Sequence, residues 1–362
     1  MIEHDNSFTA SSISTGMQCP KMYDYKYNKL YRSQPSPAMR IGTMVHRGLE
    51  EYWQGKSYED ALHAMAKEAH GCEESDWWRT EEGFVAFNKC RVYLGGYYDK
   101  WENADHFNGK DIYTEIEFGF DHWYDTGSGR GADEVRHLRG KMDALVYDRA
   151  LQEVTIIEHK TTGATISKPG SGYFDNLSMD IQLTIYREAA RVFLEGKGVK
   201  VPSSEIKIIY DVIETSRGGP RQKSKEQGGK RVVRRKDETD EELAKRKEEN
   251  QETLEEYHDR LMEFYKSEEG SLRYVRKEVV CLNSEHEQRL QEILRYAKLL
   301  GNREFLEIKY TTSCSSYGGC PFVNVCTGRE TLESSPNLVK LETKNPELDG
   351  KGNNVVSFPA GD

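Results

Sequence analysis

Two carboxylates and an amine fall where short apolar stretches end. Asp143 closes Gly140-Lys141-Met142-Asp143, and Glu158-His159-Lys160 follows the run Val154–Ile157. If these stretches pair as a hairpin, their ends converge and both acids come within reach of the lysine. Such a set suits phosphodiester hydrolysis. Carboxylate oxygens hold Mg2+ or Mn2+, the ion lowers the pKa of a water and neutralises phosphate charge, and an amine steadies the charge that develops. The triplet alone says little. With 61 acidic and 51 basic residues among 362, chance supplies about nine acidic-x-basic triplets, and an isolated one reads as a surface ion pair. Its apolar strand and the preceding GKMD set this one apart.

A second group of chemistry-bearing residues is made of sulfur. Seven cysteines lie at 19, 72, 90, 281, 314, 320 and 326. An odd number in a reducing compartment argues against a disulfide framework. Cys314, Cys320 and Cys326 crowd into 13 residues as C-x5-C-x5-C. Three soft ligands so close call for a fourth, because Zn2+ and iron–sulfur clusters usually take four. Cys72, Cys90 and Cys281 read instead as small apolar residues.

The elements that must carry these groups can be read in order. Ile41 to Trp53 is helical, with Val45, Leu49 and Tyr52 on one face and His46 and Glu50 one turn apart on a neighbouring face. Residues 57–103 are largely helical. Tyr113–Phe120, Leu138–Tyr147 and Val154–Lys160 read as strands, the first two only partly alternating, with a tight turn near Asp148 to Gln152. Asp180–Leu194 forms an amphipathic helix and Ile206–Ile213 a buried strand. Helix, three strands, helix, strand is an α/β order. Beyond it, Ser216–Lys236 is basic and glycine-rich, Asp237–Tyr265 reads as one long charged helix and Glu285–Leu300 as another. Residues 331–362 are polar, with Pro and Gly, and read as a disordered tail.

Composition sets outer bounds. Hydrophobic residues make up 36% and charged residues 31%, as in a globular chain long enough for one large core. No stretch reaches the roughly 18 apolar residues needed to span a bilayer, and the polar N-terminus does not resemble a signal peptide. The expectation is a cytoplasmic location without membrane contact. A net charge of −10 leaves room for a local basic groove.

His46 within GTMVH, Asp143 within GKMD, EHKTT at 158–162 and Gln182-x-x-x-Tyr186 resemble, in order and spacing, the motifs of RecB-like PD-(D/E)XK nucleases. The same family includes the nuclease domains of AddB, CRISPR-associated RecB-like nucleases and exonuclease V. The resemblance spans residues 11 to about 330. It implies a PD-(D/E)XK (restriction-endonuclease-like) core with a central mixed sheet flanked by helices. It also implies that His46, Asp143, Glu158 and the His159 carbonyl hold Mg2+ or Mn2+, and that Lys160 acts on the attacking water. Gln182 and Tyr186, one turn apart, would hold the DNA backbone and buttress Lys160. Met142 stands where many relatives have proline, and Glu158 where many have aspartate; both changes keep the oxygen ligands. Cys19, in QCPKMY, matches the family's first cluster ligand. With Cys314, Cys320 and Cys326 it implies a 4Fe-4S cluster, zinc being the alternative. Relatives commonly have two residues between the second and third cysteines, and here there are five.

The implied organisation is an iron–sulfur subdomain from 1–40 and 301–330, a nuclease core over 41–300, and the tail. Lys21, Tyr23, Tyr25, Lys26 and Tyr27 mix charge with aromatic rings and suit single-stranded DNA. Arg217, Arg221, Lys223, Lys225, Lys230, Arg231, Arg234, Arg235 and Lys236 form a second basic run, readable as a DNA contact or as a solvated loop. Glu115 and Glu117 read as ordinary strand positions, a place for one of them near the metal being the alternative. The activity expected is a DNA exonuclease acting on single strands or ends, in recombination, repair or phage DNA metabolism. A CRISPR-type end-processing nuclease and a non-catalytic iron–sulfur DNA-binding scaffold are the alternatives. There is no P-loop GKS/T, so a helicase or a recombination or integration partner would be a separate chain.

Overall fold

A computed structural model describes residues 7–72, 75–105, 107–124, 134–168, 170, 172–177, 179–216, 218–223, 232–236, 238–280, 282–348 and 354–357. Its strands are β1 (Ser7–Phe8), β2 (Tyr31–Ser33), β3 (Lys110–Tyr124), β4 (Glu134–Asp148), β5 (Glu153–Thr162), β6 (Lys207–Glu214), β7 (Tyr274–Glu278), β8 (Leu338–Lys340) and β9 (Asn354–Ser357). Seven of them form one mixed sheet in the order β7-β6-β5-β4-β3-β9, with β1 paired to β4. The β3–β4–β5 meander is antiparallel. β5 and β6 run parallel, and a parallel pair needs a crossover connection such as a helix. That helix is Ile181–Glu195.

Each face of the sheet is covered by helices. Against one face lie Ala10–Gln18, Ile181–Glu195 and Asn283–Leu300, closing a core that includes Ile13, Ile185, Phe193, Ile293 and Leu294. Against the other lie Pro37–Trp53, Tyr58–Gly71, Glu81–Trp101 and Leu254–Lys266, with Val45, Leu49, Tyr93 and Tyr97 at the centre. The α/β architecture expected from the sequence is therefore present, as a mixed sheet between helical layers. No helix among the described residues is long and apolar enough to cross a membrane.

Two expectations are corrected. The single charged helix over 237–265 is two, Asp240–Glu249 and Leu254–Lys266. The break falls where Thr253 caps the second helix by accepting from the Glu256 N–H, a local bond that competes with helix continuation. The stretch read as a disordered tail contributes β8, which pairs with β2, and β9, which pairs with β3. Backbone ladders need no apolar composition, so neither pairing shows in the residue types. β7 also went unread, being short and interrupted by charge (YVRKE).

The alternation of β3 and β4 is only partial for a structural reason. On β3, Ile112 packs in the layer of the Pro37–Trp53 helix, and Thr114 accepts from Gln54 at its end. Tyr113 and Ile116 both pack in the opposite layer. On β4, Leu138, Met142 and Leu145 lie in that opposite layer, while Ala144 and Val146 lie in the first. Both strands thus change face at one point, between residues 114 and 116 and between 142 and 144.

Candidate active site

Asp143 sits where β4 parts from β5. The two strands pair from Asp148↔Glu153 to Ala144↔Ile157 and no further. Past that point the Asp143 carboxylate takes the place of the ladder, Oδ2 accepting from the His159 N–H at 2.8 Å. The fork opens a gap in the sheet beside Glu158 and Lys160.

His46 enters from the Pro37–Trp53 helix. Ser36 caps it by accepting from the Met39 N–H, and Pro37 occupies the first turn. The helix passes close to the end of β5: a Cβ on Gly42 would lie 3.1 Å from Thr161 Oγ1. One turn on, His46 Nδ1 is 3.5 Å from Asp143 Oδ1.

Lys160 is held on two sides, donating to Glu158 Oε1 at 2.6 Å and to Gln182 Oε1 at 2.9 Å. Gln182 Nε2 donates to the Tyr186 hydroxyl at 2.7 Å, and that hydroxyl donates to the Lys141 carbonyl. Both residues lie on the Ile181–Glu195 helix, capped by Asp180. The structure therefore brings together His46, Asp143, Glu158, Lys160, Gln182 and Tyr186. Gln182 and Tyr186 face the lysine and the β4 backbone.

Burial governs the electrostatics. It pushes the Glu158 carboxyl up to about 7, Lys160 pulling it back and Asp143 adding to the rise. Burial would raise Asp143 as well, but His46 and the other nearby cationic groups hold it well below the usual carboxylate range. For Lys160, burial works against the charged form, and Glu158 more than restores it. Burial pushes the His159 imidazole down to about 4, so its ring is neutral at pH 7. Glu158 Oε2 is buried with no hydrogen-bond partner among the described residues. An orphaned carboxylate oxygen beside a second carboxylate is the donor set a hard divalent cation takes. No three His, Cys, Asp or Glu among the described residues close together as ligands of one ion.

Cys19, Cys314, Cys320 and Cys326 line a single cavity of about 130 Å3, and none of them is in a disulfide. Around them the N- and C-terminal segments are stitched together: Lys21 N–H donates to the Ile308 carbonyl at 3.1 Å, and Ser313 Oγ donates to the Gln18 carbonyl at 2.6 Å. Burial raises the Cys320 and Cys326 thiols, with Lys309 drawing Cys326 back down. Cys90 is fully buried and its thiol is raised by burial, in keeping with a small apolar role; Cys72 is part-buried. Cys281 lies outside the described residues.

Lys21 and Tyr25, expected to meet DNA, lie near Cys19. Lys21 is buried, its amine bonded to Asp24 at 3.2 Å and to Glu307 at 2.9 Å, so it does not present a free charge to phosphate. Tyr25 is half-buried and packs on Phe322, ring centroids 5.4 Å apart. In the later basic run, Arg221 and Lys223 pair with Glu252 and Glu256, and Arg234 pairs with Asp240. Arg217, Lys225, Lys230 and Arg231 lie outside the described residues. Asp211, fully buried on β6, is the ladder neighbour of His159 and is bonded to Tyr97 and Arg276; in the sequence its one signal is a charged residue inside an apolar strand.

The fold is a mixed α/β sheet that forks beside two buried acids and a lysine. Residues 7–327 match the model of the PD-(D/E)XK nuclease superfamily, and the chain belongs to that superfamily. It is also similar to the solved structure titled "Crystal structure of SSO0001", at 12% identity and a TM-score of 0.32, covering 91% of this chain and 90% of that one. Among curated proteins none matches.

Proposed function

We propose that this nuclease is a DNA exonuclease of RecB-like type, acting on single strands or on DNA ends with Mg2+ or Mn2+. The observation that carries the reading is the gathering of His46, Asp143, Glu158 and Lys160, from one helix and two strands, at the β4–β5 fork. His46, Asp143, Glu158 and the His159 carbonyl would hold the ion. When bound, it supplies Lewis acidity toward a phosphate oxygen and a more acidic water. Lys160, fixed by Glu158 and Gln182, would steady the developing negative charge. Gln182 and Tyr186 would keep Lys160 in place and face the DNA backbone. The four cysteines around one cavity support a shared metal centre there, an iron–sulfur cluster with zinc as the alternative. A helicase or recombination partner and a cytoplasmic location remain part of the proposal.

The test is hydrolysis of end-labelled single- and double-stranded DNA and of RNA by Mn2+-loaded protein, with Lys160→Ala and Asp143→Ala. Each variant is expected to lose activity by about 10²-fold or more, with mononucleotides released from DNA ends by the parent. Variants that cut as fast as the parent, or cleavage confined to RNA, would overturn the proposal.

A further inference from the structure

One carboxylate next to the fork has no place in the roles given above. β3 and β4 keep one register from Lys110↔Asp148 to Tyr124↔Glu134, and the single pair missing from it is Glu115 with Asp143. Glu115 has φ 49, whereas the other positive-φ non-glycine residues, Leu30 and Gln152, lie outside strands. A left-handed conformation costs a non-glycine residue of order 1–3 kcal/mol and persists only where its surroundings hold it. This is also the point at which both strands change face. Because both slip together, the register survives, and the two carboxylates are left at the boundary between the layers.

Several charged groups are crowded there. Glu115 and Asp143 occupy directly opposed positions, an arrangement that is unfavourable for like charges, and both side chains are largely buried, at 16% and 13% exposure. Lys141 pairs with Glu115, and Lys160 with Glu158. Three carboxylates thus face two ammonium groups and an imidazole, and Glu158 Oε2 is left buried without a partner. Burial raises the Glu115 carboxyl, Lys141 offsets part of the rise, and Asp143 adds to it.

We propose that Glu115 is a further acidic ligand of the divalent cation, sharing it with Asp143 across the β3–β4 ladder while Lys141 fixes its carboxylate. This rests on the metal-dependent reading of the fork. It accounts for a strained backbone and a gap in the ladder at one position, next to the partnerless Glu158 Oε2. Glu117, two residues on, differs: it keeps its ladder pair with Lys141 and is bonded to Arg139.

The experiment is calorimetric titration of the full chain with Mn2+, without DNA, for the parent and for Glu115→Asn, Glu115→Asp, Glu117→Gln and Asp143→Asn. Asparagine tolerates positive φ, so Glu115→Asn removes the charge while keeping the backbone accessible. Glu115→Asn is expected to weaken Mn2+ binding about 10-fold to 100-fold. Glu115→Asp should recover part of that loss, Glu117→Gln should bind as the parent does, and Asp143→Asn should bind least. Parent-like affinity in Glu115→Asn with loss in Asp143→Asn would overturn the proposal and leave the fork reading standing. A lowered melting temperature in Glu115→Asn with unchanged affinity would overturn it too, leaving only a backbone role. Parent-like affinity in Asp143→Asn would sink the fork reading itself.

Discussion

Lys160 is locked before any substrate arrives. Its amine answers to Glu158 directly and to Tyr186 through Gln182, and Tyr186 is anchored in turn on the Lys141 carbonyl. Tyr186→Phe removes both bonds of that hydroxyl and leaves the Gln182 amide free to turn away from the lysine. The expected result is a fall in kcat of about 10-fold with KM little changed, and a stability loss of about 1–3 kcal/mol from the orphaned carbonyl; equal kcat in steady-state assays would count against the relay. At this scale the sequence was informative where groups lie close in the chain. Gln182 and Tyr186 are one turn apart, and Glu158 and Lys160 share a strand face. It was uninformative where the partner is remote. Lys21 looks like a surface cation until Glu307, 286 residues away, is seen to cover it.

Between elements, the helix carrying Gln182 is pinned to the helix Asn283–Leu300 by one buried polar contact, His286 Nε2 with Glu188 Oε1 at 2.7 Å. Burial opposes the Glu188 charge, but His286 and Ser203 overcome it and hold the carboxyl at about 2. A carboxyl whose pKa is lower in the folded state stabilises the fold above its unfolded value, about 4.3, and loses that contribution as pH falls toward 2. Glu188→Gln should therefore be less stable than the parent near neutral pH, by about 1–3 kcal/mol, with the difference shrinking between about pH 4.3 and pH 2. Urea unfolding at several pH values checks this, and a pH-independent difference would contradict it. The main helices and strands were legible from apolar spacing because each buries one face. The Asp237–Tyr265 break was not, since a capping threonine is one side chain amid many charges. Nor was the face change in β3 and β4, because period-2 reading assumes an unbroken pleat.

For the molecule as a whole, the cysteine cavity is where the two ends of the fold meet. On the proposed iron–sulfur reading, replacing Cys320 with serine should remove iron, bleach the brown colour, and lower the melting temperature by more than the same change at Cys72. Metal analysis and thermal unfolding read both, and a colourless zinc-containing parent would replace iron–sulfur with zinc. The motif order named the candidate site residues, yet the β2–β8 clasp was not legible, since strands of three residues are too short to show a period. That clasp also has a cost in time. The aromatic stretch holding Tyr23, Tyr27 and Tyr31 is buried in the finished fold, but β2 must wait for residues 338–340 to leave the ribosome. At roughly 5–20 residues per second, the wait is on the order of tens of seconds. During it Tyr31 lacks that partner strand, and nascent-chain chaperones or aggregation compete for it.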